Sequence, residues 1–225
     1  MTKRIESQFK KIRNKKDKVR FTLGTLALVA LCTFLIIIAT FTQLSIYHYI
    51  LPLDMIFHPI KFATGSEAVI QTRFVDYIPQ VPVIAYIAAL LGPIYGLLSV
   101  LIYIGLGLSF FPVFALGGGI KYVLQYSFGY IIAYLPAVVI MSKVLKRDFS
   151  YKYVLKACFL GVLTIHLVGI FYTIILGLIK REPYQFLLEW IAFQSVSKFI
   201  YDFIFSFFAV LMARLTKKIL WIIMG

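Results

Sequence analysis

Six stretches of nearly unbroken apolar residues divide the chain, near 21 to 44, 78 to 91, 93 to 111, 122 to 142, 157 to 179 and 186 to 213. A helix needs about 20 mostly apolar residues to cross a bilayer core, so each run predicts a transmembrane helix, the second short and the sixth long. Gly92-Pro93 predicts a tight reversal between the second and third runs, because proline lacks an N–H and disfavours helical geometry in the residue before it. The third run stops at Phe111-Pro112, and Gly117, Gly118 and Gly119 follow. Irregular backbone at membrane depth is tolerated only where protein or a cavity covers it, which makes this loop a candidate site wall. The predicted fold class is an all-α membrane protein with six transmembrane helices.

Composition supports that reading. The chain is 61% hydrophobic and 14% charged with a mean hydropathy of +0.92, whereas a soluble domain is about a quarter charged. Its net charge of +14 would suggest nucleic acid on a folded surface, but nine of the 23 basic residues fall between Lys3 and Arg20. Juxtamembrane Lys and Arg are drawn to the anionic cytoplasmic leaflet at roughly 1 kcal/mol each. The lipid bilayer, and no nucleic acid, is therefore the expected partner of this charge. The first apolar run, about 24 residues, exceeds the roughly 7 to 15 of a secretory signal and ends in no small-x-small site, so it is expected to stay as a membrane helix.

Loop charges set the orientation. With the N-terminus inside, seventeen Lys and Arg lie on the cytoplasmic side and five outside, the remaining Lys198 falling within the sixth run. The positive-inside rule then places both termini in the cytoplasm. The expected organisation is a basic segment at 1–20, a membrane domain at 21–213 and a basic cytoplasmic tail at 214–225. The outer loop 45–76 is the longest connection, and it reads equally as a lid over an outward pocket or as an ordinary extracellular loop.

Lys198 is the costliest group in the sequence, because a charge in the middle of a membrane helix costs on the order of 2.5 to 3.5 kcal/mol on insertion scales. Helical spacing aligns Gln194, Ser195, Lys198, Tyr201 and Asp202 on one stripe. Two readings follow: Lys198 and Asp202 neutralise each other, or the ammonium waits for an anionic ligand. The stripe is larger than an ion pair requires, which favours the ligand. Gln80, between Pro79 and Pro82, reads as a ligand contact or a helix cap, and His166 reads as packing. Gly92 and Gly96 form a GxxxG pair suited to close helix packing. Cys32 and Cys158 sit in apolar runs without metal-ligand or disulfide spacing. There is no GxxxxGK[ST], HExxH or GxSxG motif, so no cofactor, metal or hydrolytic machinery is expected.

The stretch GPIYGLLSVLIYIGLGLSFFPVF at 92–114 resembles the signature of the BioY family, the biotin-specific S-components of energy-coupling-factor transporters. Gln80 stands where that family carries the glutamine of its PFTLQT segment. The glycines at 117–119, Gly129-Tyr130, and Gly169 with Phe171-Tyr172 echo further family patterns. The resemblance covers roughly 76 to 213 and implies an S-component-like bundle, a biotin pocket formed by Gln80, Tyr130, Ser195, Lys198, Tyr201 and Asp202, and no enzymatic activity. As partners it implies a membrane coupling subunit and two ATPase subunits, with Gly24, Ala27 and Ala30 of the first helix as a small-residue docking face. One departure is plain: aligning the family's Gly-Asp-x-x-Lys lysine on Lys198 puts Gln194 and Ser195 at the glycine and aspartate. The alternatives are an S-component for another vitamin or small anion, or a structural membrane protein without a solute.

Overall fold

The computed structural model describes residues 21–50, 71–147 and 150–224, without the side chains at 47–50, 71–76, 197 and 221–224. The basic segment 1–20 and the middle of the outer loop, 51–70, lie outside the described residues. Helix α1 (Leu23–Phe41) opens on a capping box, in which Thr22 and Thr25 each satisfy the other's backbone N–H. Two antiparallel strands follow, β1 (Leu44–Ile50) and β2 (Gln71–Tyr77), in a register pairing Leu44 with Tyr77. This hairpin modifies the all-α expectation. Its β-branched and aromatic residues favour extended backbone, which the reading of 45–76 as a loop had passed over.

Helix α2 (Gln80–Leu108) is two arms rather than one rod. Gly92 adopts φ +76°, ψ −171°, a conformation open to glycine and strained for other residues. A Cβ placed on Gly96 would sit 3.7 Å from the Ile87 carbonyl oxygen, although nine helical residues would separate the two by about 13 Å along a straight axis. The chain therefore turns back at Gly92-Pro93, so that the five helices long and apolar enough to cross a membrane among the described residues supply the six predicted apolar segments. Gly96 serves close packing, as its spacing implied, and meets Val138.

Beyond α2 a 3₁₀ turn (Ile120–Leu124) leads to α3 (Phe128–Arg147), then α4 (Tyr151–Lys180) and α5 (Tyr184–Ile191). A π turn (Ala192–Val196) joins α5 to α6 (Ser197–Met224). The fourth span thus begins near 128 rather than 122, because the 3₁₀ turn occupies the residues before it. Helix α6 continues through the predicted tail, carrying exposed Arg214, Lys217 and Lys218. α3 packs along α4 and α2, and α2 also lies against α1 and α6. Ile84, Ile87, Tyr103, Val138, Met141 and Ile165 are fully buried at this centre, while Leu31, Phe34, Phe171 and Ile200 face outward as lipid-facing residues do.

Candidate functional site

A pocket opens in the half of the bundle that the loop charges place outward. It holds about 630 Å³ of atom-free space, counting its open mouth. Gln80 and Val81 enter it from the start of α2, Tyr130 and Tyr134 from α3, His166 from α4, and Gln194, Lys198 and Asp202 from the last span. Ala115, Tyr122 and Ser127 come from the glycine-bearing loop, which makes that loop the site wall its sequence suggested. The loop folds tightly on the end of α2: the Gly119 N–H donates to the Gly107 carbonyl at 2.8 Å, and a side chain at Gly118 would collide with the Phe111 backbone.

The polar groups are tied in networks. Gln80 Nε2 donates to Thr40 Oγ1 at 2.6 Å and to the Tyr103 hydroxyl at 2.9 Å, and its Oε1 accepts from the Tyr134 hydroxyl at 2.9 Å. Gln80 thereby ties α1, both arms of α2 and α3 together, and it keeps one Oε1 lone pair for anything else. Across the pocket, the Tyr130 hydroxyl and Ser195 Oγ are 2.7 Å apart. Glycine at 169 makes this possible, since a Cβ there would run into the Tyr130 ring.

Asp202 is 3% exposed, and both of its oxygens are engaged. Oδ1 accepts from the Tyr77 hydroxyl at 2.5 Å, and Oδ2 lies 3.2 Å from His166 Nε2. Burial first, then the Asp202 charge, push the Tyr77 hydroxyl above its ordinary range, so it remains a donor. A carboxylate only accepts, which assigns the second proton to His166 Nε2. Among the described residues the nitrogen in direct contact with an Asp202 oxygen is His166 Nε2, while Lys198 is acted on by the Asp202 charge without touching it. The Lys198 ammonium instead donates to Gln194 Oε1 at 2.9 Å and lies 5.3 Å from the Phe193 ring centre. Among the described residues its direct contacts are thus a neutral amide and an aromatic face, with the Asp202 charge one turn away acting on it at longer range.

The predicted stripe on the last span is split by the π turn, a feature common at functional sites. Gln194, Lys198 and Asp202 face the pocket, Ser195 is buried behind Tyr130, and half-buried Tyr201 is outside the lining. Tyr77 and Tyr134 were not anticipated, and His166, read as packing, lines the pocket and holds Asp202. The spacing of Tyr130 and Tyr134 was the available signal, as residues four apart share a helical face. In α1, Ala27 and Ala30 are exposed and Gly24 half-buried. No group of His, Cys, Asp and Glu suited to a metal ion occurs among the described residues.

The structure is thus a multi-pass helical membrane bundle whose outward-placed pocket is lined by one cationic and one anionic side chain, Lys198 and Asp202. A solved structure described as the S-component for biotin from an ECF-type ABC transporter shares the fold, with a TM-score of 0.63 over 88% of this chain and 95% of that one at 24% identity. A protein of Lysinibacillus sphaericus described as a probable biotin transporter BioY is 36% identical over 112 residues, covering 49% of this chain and 57% of that relative. The match thus spans little more than half the relative's length. The family pattern extends further, over residues 62–221, and the chain belongs to the BioY family.

Proposed function

We propose that this chain is the biotin-binding membrane subunit of an energy-coupling-factor uptake transporter and is not itself an enzyme. The observation that carries the reading is the Lys198 ammonium, which lines the pocket and, among the described residues, makes no direct ion pair with a carboxylate while Asp202 is hydrogen-bonded to Tyr77 and His166. An intramembrane cation of this kind calls for an anion, and biotin presents a carboxylate. Asp202 and the remaining lone pair of Gln80 offer acceptors to the ureido N–H groups, while Tyr130 and Tyr134 supply apolar walls with polar edges. Ser195 acts through Tyr130, whose hydroxyl it meets at 2.7 Å. The family membership and the relative described as a probable biotin transporter support the substrate.

Uptake against a gradient would draw on a membrane coupling subunit and two ATPase subunits, as the chain carries no nucleotide loop of its own. Exposed Ala27 and Ala30, beside Gly24, offer the coupling subunit a face that permits close helix approach. A second reading, another vitamin or small anion, is favoured by Ser195 standing where the family's aspartate is expected. Labelled biotin bound to the purified chain, competed against a panel of unlabelled vitamins, separates the two. Displacement by biotin alone supports the proposal, and displacement by a different vitamin replaces it.

A further inference from the structure

The segment between α2 and α3 has two faces. Its inner face belongs to the pocket: Phe114 is fully buried, Tyr122 is 4% exposed, and Ala115 lines the cavity. Its outer face is apolar to a degree that water would penalise. Phe110 is 100% exposed, Phe111 59%, Leu116 70%, Ile120 71% and Leu124 57%. Five large apolar side chains on a short connecting segment exceed the scattered exposure normal for a surface and mark an interaction face.

We propose that this segment is seated in the outer leaflet of the bilayer, as an interfacial anchor that forms the pocket wall on its other side. Two observations select lipid as the occupant. The patch meets the outer end of α4, where the Lys180 ammonium donates to the Leu124 carbonyl at 2.7 Å, and that helix end exposes Leu178 and Ile179, each by 71%. The adjoining cations are exposed as well, Lys121 within the segment and Arg181 after α4. Apolar side chains flanked by Lys and Arg are the composition that binds the boundary between acyl chains and anionic headgroups. Phe114 and Gly117 close the segment on itself, and three hydrogen bonds hold it to the bundle: Gly119 N–H to the Gly107 carbonyl, and from α4 the Tyr172 hydroxyl to the Val123 carbonyl and the Lys180 ammonium to the Leu124 carbonyl. The anchor therefore cannot move in the leaflet without moving the pocket wall. The inference stands whichever ligand the pocket takes.

The test uses the full chain in single-copy nanodiscs, spin-labelled at Phe110→Cys, Leu116→Cys, Ile120→Cys and, as a polar control, Lys121→Cys. The native Cys32 and Cys158 are buried and need no removal. Collision with lipid-soluble oxygen should exceed collision with a water-soluble nickel chelate at 110, 116 and 120, and the order should reverse at 121. Nickel dominance at the three apolar positions would overturn the proposal. So would exclusion of both reagents, which would indicate cover by protein. Raising the phosphatidylglycerol fraction should deepen the three labels, and an unchanged depth would remove the headgroups from the account.

Discussion

Replacement of Asp202 tests whether the pocket is organised as described. In Asp202→Ala, the Tyr77 hydroxyl and the His166 Nε2–H lose their acceptor, at residues 0% and 4% exposed. Each orphaned buried donor costs about 1–3 kcal/mol, giving roughly 2–6 kcal/mol for the pair. Side-chain hydrogen bonds between membrane helices average only about 0.6 kcal/mol, so a loss above about 2 kcal/mol identifies a charge-assisted network rather than two ordinary bonds. Asp202→Asn should be milder, about 1–3 kcal/mol, because its amide oxygen still accepts from Tyr77 and its NH₂ can donate to the other imidazole tautomer, which leaves one orphaned donor, the buried His166 Nδ1–H, rather than two. The measurement is reversible unfolding of the purified chain by titration with a denaturing detergent. An Ala variant as stable as the native chain would refute the network. An Asn variant as unstable as Ala would show that the charge itself is what matters, returning Lys198 as the partner of Asp202.

Other substitutions probe single features. Gln80→Leu removes three hydrogen bonds joining four spans, and should lower stability by about 1–3 kcal/mol in the same titration and weaken ligand binding. Gly92→Ala has nothing within 4 Å of the new methyl group, so only backbone strain remains, about 1–3 kcal/mol, with ligand affinity unchanged. Gly107→Ala instead drives a methyl group into the buried Phe114 ring, which should cost about 1–3 kcal/mol and, by shifting the wall beside Ala115, reduce affinity too. Equal effects of the two glycine changes on affinity would contradict the placement of that wall.

The spans were legible because the bilayer demands long apolar runs, and Gly92-Pro93 made the reversal readable where hydropathy alone would merge two arms. The glycines at 117–119 marked the wall for a similar reason, since irregular backbone in a membrane needs cover. Lys198 and Asp202 stood out through their cost in an apolar helix. Their relation did not follow from i, i+4 spacing, because Asp202's partners come from elsewhere in sequence: Tyr77 is 125 residues away and His166 is 36. The π turn at 192–196 was equally hidden. It changes which side chains of the stripe face the cavity while leaving the hydropathy pattern untouched. The strand pair 44–50 and 71–77 was passed over because the charged and histidine positions at 45–76 drew attention to the segment as a loop.

The most direct test of the central claim pairs the Lys198 charge with the ligand's. Calorimetric affinities are needed for biotin and its methyl ester, each with the native chain and with Lys198→Ala. If the ammonium meets the ligand carboxylate, the substitution should weaken biotin by about 2 kcal/mol or more, roughly thirtyfold, and leave the ester nearly unaffected. An equal loss for both ligands, or none for either, would contradict the assignment of Lys198 to the anion.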